Sequence, residues 1–427
     1  MRSRFNPGVL IAALGLLGFG TSVVAQPTEA PGGGGCSTNK FSKKLEKSID
    51  GVQKARDAKD WNGMLAKVQE AAAVPIEKTD FDNFWIHELG GVAYANIKQF
   101  PDAVRELDAA LNSPCMKEGD KPGRNKVLMQ LSYQAKDYKK TIEYGTRAAQ
   151  TLPDDTEVAN YLSNAYFQLD DLVNTRKVIS EMINKLEASG KVPEEQHYRI
   201  LQTACLRAKD DACVVEQIEK LVTHYPKPTY WTDLINALLR VSRSDRDLLN
   251  ILRLADGVDV MKDPSMYNEM AQLSMAQGLP GEAQSMIEKG FQKGILNAPD
   301  ATREKDRANR LLAEAKQAVT LDKSTLDKQD ASARAKPTGE SDVKLGAAYL
   351  SYSQNDKAVE ALQRGIGKGG VKVPDEASLL LGIAYYRMNN KAEAGKAFQN
   401  VKQDPMLTRI AKLWLMHIGG GSAVAAG

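Results

Sequence analysis

From Lys40 onward, apolar positions recur at helical intervals almost without interruption. Strand-like alternation is absent, and Pro and Gly fall mainly between the periodic segments. The pattern predicts helices joined by short turns. Lys40 to Ala73 reads as a helix pair around the turn Lys59-Asp60-Trp61. Ala301 to Ala335 reads as long charged helices with few large apolar residues, Leu311, Leu312, Val319, Leu321 and Leu326, broken afterwards by Lys336-Pro337-Thr338-Gly339. Leu407 to Ile418 is an amphipathic final helix, expected to cap the array and face solvent.

A repeat underlies the pattern. Leu381-Gly382-x-x-Tyr385 is followed by Ala394-x-x-x-Phe398 and Pro405. Leu345-Gly346-x-x-Tyr349 is followed by Ala358-x-x-x-Leu362, and Gly91-x-x-Tyr94 by Ala103-x-x-x-Leu107 and Pro114. In each, the Gly and the following Ala are 12 residues apart. Two antiparallel helices joined by a tight turn approach closely only where both carry a small side chain. The Tyr is expected to fill the seam, and the Pro falls past the second helix, where it spares the hydrogen-bond ladder. The same step links Met129 with Thr141, Ser163 with Thr175, and Ala271 with Ala283. Weaker pairs run from Gln196 to Tyr225 and from Trp231 to before Pro264.

These motifs resemble the tetratricopeptide repeat, W-x-x-L-G-x-x-Y, A-x-x-x-F, then P, over about 34 residues. First-helix seam positions fall at Gly91, Met129, Ser163, Gln202, Ile235, Ala271, Gly346 and Gly382, in steps of 33 to 39 residues with one of 75 that leaves room for a degenerate unit. Trp is mostly missing from the first position and Gly from several seams, so those units should pack less regularly. The resemblance implies an all-α, right-handed solenoid of antiparallel helix pairs without β-sheet. It also implies that the inner wall, made by the first helix of each pair, binds an extended peptide or a partner helix. Repeats occupy residues 40–298 and 338–405, the charged helices 299–337 and the capping helix 406–418.

Positions one past the seam, and helical steps from it, select Asn160, Asn164, Phe167, Arg199, Asn236, Arg240, Asn268 and Gln272 as a partner-binding groove within residues 155–290. Asn offers donor and acceptor to the backbone of an extended peptide, and Arg offers a fork for a carboxylate. Mid-helix Asn is helix-unfavourable, so its repetition is a mild signal. An ordinary solvated polar face is the alternative. The charged stretch Ala301 to Ala335 is a second place where a partner could dock.

Composition narrows the class. The chain has 427 residues, 42% hydrophobic, with a formal charge of +3. That charge is too small for nucleic-acid binding by bulk electrostatics. Met1 to Gln26 reads as a secretory signal: Arg2 and Arg4, an apolar run from Val9 to Phe19, and Val23 and Ala25 at −3 and −1. The run is short for a membrane anchor. Cleavage after Ala25 removes two arginines and leaves a net +1. A Gly/Pro linker, residues 26–39, follows, and residues 419–427 are expected to form a disordered tail. A periplasmic location is the expectation, with peripheral membrane association compatible with it.

An exported chain permits disulfides. Cys36, Cys115, Cys205 and Cys213 allow three pairings. If the helices flanking Leu206 to Ala212 are antiparallel, Cys205 and Cys213 can approach, leaving Cys36 with Cys115. Four unpaired buried thiols are the alternative. Gly32–Gly35 stand before Cys36 where a lipidation box would need L-x-x-C.

Candidate chemistry is sparse. His87, His197, His224 and His417 sit in no metal-ligand spacing, and no H-E-x-x-H, G-x-S-x-G or G-x-x-x-x-G-K-[ST] occurs. The glycines of Gly365 to Gly370 surround Lys368 without a following Ser or Thr, and read as a helix end. A hydrolase, such as a helical lytic transglycosylase, needs carboxylates converging in a cleft, and no pair is apparent. No catalytic residue, metal or cofactor is expected. The reading is a non-catalytic adaptor or scaffold of the bacterial cell envelope, with a chaperone-like module or a structural subunit of a secretion or polysaccharide-export assembly as alternatives, and an envelope enzyme as the rival class.

Overall fold

The computed structural model describes residues 36–419. The signal segment, most of the linker and the tail after Gly419 lie outside them. The described residues form 21 α-helices and no strand, and they fall into two compact units, one ending at Gly190 and the other beginning at Lys191.

The first unit holds four hairpins: α1 (Glu46–Asp57) with α2 (Trp61–Ala73), α3 (Asp80–Asn96) with α4 (Phe100–Leu111), α5 (Lys121–Gln134) with α6 (Tyr138–Thr151), and α7 (Thr156–Gln168) with α8 (Leu172–Ala188). One turn chemistry closes all four. Lys59, Lys98, Lys136 and Asp170 adopt positive φ. The next N–H then reaches back five residues, as from Asp137 to the Ser132 carbonyl and from Asp171 to the Tyr166 carbonyl, both at 2.9 Å. This satisfies carbonyls that the first helix leaves unpaired. Asp60, Asp137 and Asp171 simultaneously cap the second helix by accepting from the N–H of Gly63, Lys140 and Asn174.

The seams follow the 12-residue step. Ala103, Met129, Thr141, Ser163 and Thr175 are fully buried. The tightest approach lies one turn beyond the expected Ala: a Cβ on Gly91 would lie 2.6 Å from Leu107 Cδ2. The seam Tyr varies in burial, since Tyr94 and Tyr166 are half-buried while Tyr349 is buried. The first segment of the described chain is pinned to α3. Asp82 accepts from the Ser42 N–H at 3.0 Å and its hydroxyl at 2.6 Å, Phe41 packs edge-on to Phe81 at 5.0 Å, and a disulfide joins Cys36 to Cys115. With its sulfur bonded to Cys115, Cys36 has no thiol left for a lipid.

The second unit begins with α9 (Glu195–Arg207) and α10 (Asp211–His224), stapled by the Cys205–Cys213 disulfide. There follow α11 (Pro228–Val241) with α12 (Asp245–Gly257), and α13 (Pro264–Ala276) with α14 (Pro280–Gln292). The degenerate unit is α15 (Thr302–Lys323) with α16 (Leu326–Ala335), and then come α17 (Glu340–Ser351) with α18 (Asn355–Lys368), α19 (Pro374–Arg387) with α20 (Lys391–Gln399), and α21 (Pro405–Ile418). The left-handed turn recurs at Lys209, Gly278, Ser353 and Asn389. It is missing between α11 and α12, where Ser242 is extended and Ser244 caps α12.

This unit turns back on itself. Gly281 of α14 lies against Tyr352, just past α17, so closely that a Cβ would meet its ring at 2.5 Å and the Ser351 carbonyl at 2.7 Å. Arg253 of α12 makes a two-pronged pair with Glu282 of α14, at 2.9 and 2.7 Å, and both are 5% exposed. Arg387 of α19 stands 3.8 Å from the same carboxylate, and Ser274 donates to it at 3.1 Å. Burial alone would raise the Glu282 carboxyl, but Arg253 holds it below its ordinary value.

The final helix is therefore not a solvent-facing cap. Leu407, Ile410, Ala411, Leu413 and Trp414 of α21 are buried, and Trp414 fills the space a side chain on Gly257 would need. The helix is amphipathic, as its pattern says, but chain return supplies a second surface for its apolar stripe, so the stripe is covered on both sides.

Candidate functional site

The proposed groove residues divide between the two units. In the first, Asp155 caps α7, accepting from the N–H of Glu157 at 2.9 Å and Val158 at 3.2 Å. Lys126 of α5 bridges Asp155 and Glu157, both at 2.7 Å. Gln130 donates to Glu157 at 2.6 Å. Burial alone would raise the Asp155 carboxyl, but the Lys126 hydrogen bond and the capped N–H groups hold it low. Asn160 and Asn164 lie on the next turns of α7, half-buried, with Asn164 Nδ2 donating to the Asn160 carbonyl at 2.8 Å. Phe167 is half-buried one turn on. Tyr161 packs edge-on to Tyr133 at 5.1 Å, and Tyr133 packs on Tyr138 at 5.6 Å. Burial raises the Tyr133 and Tyr161 hydroxyls, so both stay protonated donors at neutral pH.

Lys126, Gln130 and Tyr133 were not among the residues selected from the sequence. Their signal was available: they stand to Met129 as Asn160, Asn164 and Phe167 stand to Ser163. Limiting the groove to residues 155–290 hid them.

In the second unit, Arg199, Asn236 and Arg240 are exposed on α9 and α11. Arg240 approaches Asp211 only at 3.9 Å. Asp233 lies between the two arginines: burial raises its carboxyl, and the Arg240 and Arg199 charges oppose that rise. This face presents two guanidinium forks, a carboxylate and an amide, and it can recognise a polar segment through several hydrogen bonds.

Asn268 requires correction, while Gln272 keeps its exposed position. Asn268 is fully buried and donates to the Glu304 backbone carbonyl at 2.9 Å and to its carboxylate at 2.8 Å. Gln272 accepts from Arg307. Both anchor α15. The degenerate repeat packs its first helix on α13, so the wall that would continue the groove is interior packing at Asn268 and stays open at Gln272. The alternative docking stretch buries one side, at Ala308, Ala315, Leu326 and Ala333, and leaves the other side exposed, Arg303, Arg310 and Leu321 included.

The histidines are engaged locally. His87 pairs with Glu106 at 2.7 Å, and His224 stacks on Tyr198. His197 accepts from the Glu194 N–H at the start of α9, and burial lowers its affinity for a proton. Lys368 donates to the Ala333 and Arg334 carbonyls at 2.8 and 3.1 Å and pairs with buried Asp342 at 2.8 Å. The surrounding glycines are a helix end, with Gly339 N–H donating to the Gly369 carbonyl at 2.7 Å. Among the described residues no three His, Cys, Asp or Glu side chains gather in a metal-binding group, and no helix is long and apolar enough to cross a membrane.

No protein-family profile matches the chain, and no curated protein matches it. Solved structures do. A tetratricopeptide repeat protein from Parabacteroides merdae matches at 12% identity over 80% of this chain and 99% of its own, with a TM-score of 0.32. The C-terminal part of a TPR repeat-containing protein from Cytophaga hutchinsonii matches at 9% identity over 65% and 98%, with a TM-score of 0.35. The TPR2AB-domain of yeast Sti1, solved as a pHSP90 complex, matches at 15% identity over 64% and 98%, with a TM-score of 0.30. Each is a protein this chain is similar to, and none fixes a family for it.

Proposed function

We propose that this protein is a non-catalytic interaction scaffold of the bacterial cell envelope, exported to the periplasm, that binds a protein or extended peptide on first-helix faces. One observation carries the reading: Arg199, Asn236 and Arg240 lie exposed in one register of α9 and α11, while the buried charged pairs, such as Arg253–Glu282 and Lys368–Asp342, lock helices together. Arg and Asn exposed at regular helical steps suit recognition of a peptide's carboxylates and backbone. The two disulfides suit an oxidising compartment. A chaperone-like role, or that of a structural subunit in an export assembly, would use the same faces.

Affinity capture from native envelope identifies the partner, and titration of that purified partner then tests the face. Changing Arg199, Asn236 and Arg240 together should abolish binding with helicity unchanged by circular dichroism. Changing Asn160, Asn164 and Phe167 tests the first unit separately. If both sets bind as the parent does, the first-helix faces are not the site. Substitution of exposed Arg303, Arg310 and Leu321 then tests α15 without disturbing its buried side.

A further inference from the structure

The positive charge of the chain is concentrated at one end of the first unit. Residues 36–57 carry six bases, Lys40, Lys43, Lys44, Lys47, Lys54 and Arg56, against three acids, Glu46, Asp50 and Asp57. Their net +3 equals the net charge of the whole chain. Arg56 is half-buried and pairs with Asp57 at 3.1 Å. The five lysines are exposed, and among the described residues none of them forms an ion pair. Glu46 and Asp50 are exposed and unpaired as well.

The lysines are fixed as a surface. Leu45 and Val52 of α1 are buried in one cluster with Met64 and Val68 of α2 and Ile86 of α3. By helical spacing Lys47 and Lys54 stand on the opposite face, two turns apart, with Asp50 between them. Lys40, Lys43 and Lys44 flank Phe41 and Ser42, whose contacts with Phe81 and Asp82 hold the backbone there. The Leu45 N–H donates to the Ser42 carbonyl at 2.8 Å, which closes the turn into α1. The Cys36–Cys115 bridge ties down the segment before them.

This arrangement works against folding. Cations at the start of a helix oppose its macrodipole, and Lys43 and Lys47, four residues apart, repel one another. Leu45 at the N-cap makes no side-chain bond to the free N–H groups of the first turn. No carboxylate of the fold is paired with these charges, so what offsets them lies outside the chain.

We propose that this end of the first unit docks reversibly on an anionic lipid bilayer, with Lys40, Lys43, Lys44, Lys47 and Lys54 facing the headgroups. The chemistry selects a bilayer over a protein. Lysine is a point charge on a flexible stem and suits a diffuse negative surface, whereas a particular carboxylate calls for an Arg fork such as Arg199 or Arg240. Protein interfaces are built on aromatic and apolar anchors and are poor in lysine. Here the neighbouring apolar side chains, Phe41, Leu45 and Ile49, are packed into the fold. With nothing apolar to insert, the contact is electrostatic alone and contributes about fivefold in partitioning per lysine, which Glu46 and Asp50 reduce. The envelope location proposed above is where such a bilayer is met, but the binding itself does not depend on it. Nor does it occupy the partner face, since α1 and α7 belong to the first and last hairpins of that unit.

Co-flotation of the full disulfide-bonded mature chain with vesicles tests this. Vesicles of about 30% phosphatidylglycerol in phosphatidylcholine should carry the chain at about 0.05 M salt, vesicles of phosphatidylcholine alone should not, and about 0.5 M salt should release it. Lys43→Gln, Lys44→Gln and Lys47→Gln together should weaken partitioning about 100-fold. Lys262→Gln, Lys328→Gln and Lys402→Gln remove the same charge from exposed positions of the second unit and should leave it unchanged. Circular dichroism checks that both variants keep the parent's helicity. The proposal is overturned if the anionic vesicles do not carry the chain, if neutral ones carry it equally, if the first variant keeps its partitioning, or if the second loses it. It is overturned too if polyglutamate at equal charge binds the chain more tightly than the vesicles do, which assigns the patch to an acidic protein segment. Vesicle binding is read without the partner, so its failure leaves the partner face standing, and failure of that face leaves this one standing.

Discussion

Removing one disulfide should cost far more than removing the other. Cys36 and Cys115 are 79 residues apart, and Cys205 and Cys213 are 8 apart. A crosslink restricts the unfolded chain in proportion to the logarithm of the loop it closes, which gives about 4.5 kcal/mol for the long loop and about 2.5 for the short one. The packing losses nearly cancel in the comparison, because each pair joins one fully buried Cys, Cys115 or Cys205, to one half-buried Cys. The long bridge should thus be worth about 2 kcal/mol more. The test replaces each pair by Ala in the full mature chain and follows urea unfolding unit by unit, using protection of α3–α5 for the first bridge and α9–α10 for the second. Reduction of the parent should reproduce both losses. Equal losses, or a larger loss for Cys205–Cys213, would refute the loop-entropy reasoning and would mean that the packing of Phe41 and the Ser42–Asp82 hydrogen bonds hold that segment without help from the bridge. The same arithmetic implies that a reducing compartment weakens the first unit more than the second.

Gly382→Ala should destabilise the second unit by about 1–3 kcal/mol, since its Cβ would enter the Phe398 ring and the core must give way, measurable as a lowered urea midpoint. Lys136→Gly should stabilise the first unit by several tenths to about 1 kcal/mol by relieving a left-handed φ, whereas Gly278→Ala, at the equivalent turn, should destabilise by a similar amount. Glu282→Gln should cost about 3–5 kcal/mol by leaving Arg253 buried without its counter-charge, and Arg253→Met with Glu282→Met should recover much of the loss. A Glu282→Gln chain as stable as its parent would show that packing around α12 and α14 does not depend on the pair.

The helix pairs and their turns were legible because both depend on near neighbours. A small residue and its partner 12 positions on are local requirements, and Gly91–Ala103, Ser163–Thr175 and Gly382–Ala394 all occupy buried seams. The positive-φ residue was less legible, because Lys59, Lys98, Lys136 and Lys209 fill a role usually signalled by Gly. The candidate face was half legible. Register alone placed Arg199, Asn236 and Arg240 on exposed positions, but the same register placed Asn268 where α15 buries it.

What the sequence determined by itself was therefore the unit: two helices, a short turn between them, and a seam placed by residues 12 apart. What only the tertiary structure decided was which unit meets which. An amphipathic stripe records that a helix must bury one face but not what will cover it. Both α15 and α21 carried such faces. Packing placed α15 over Asn268 and brought α21 back onto Gly257, and so determined which polar residues stay open to a partner.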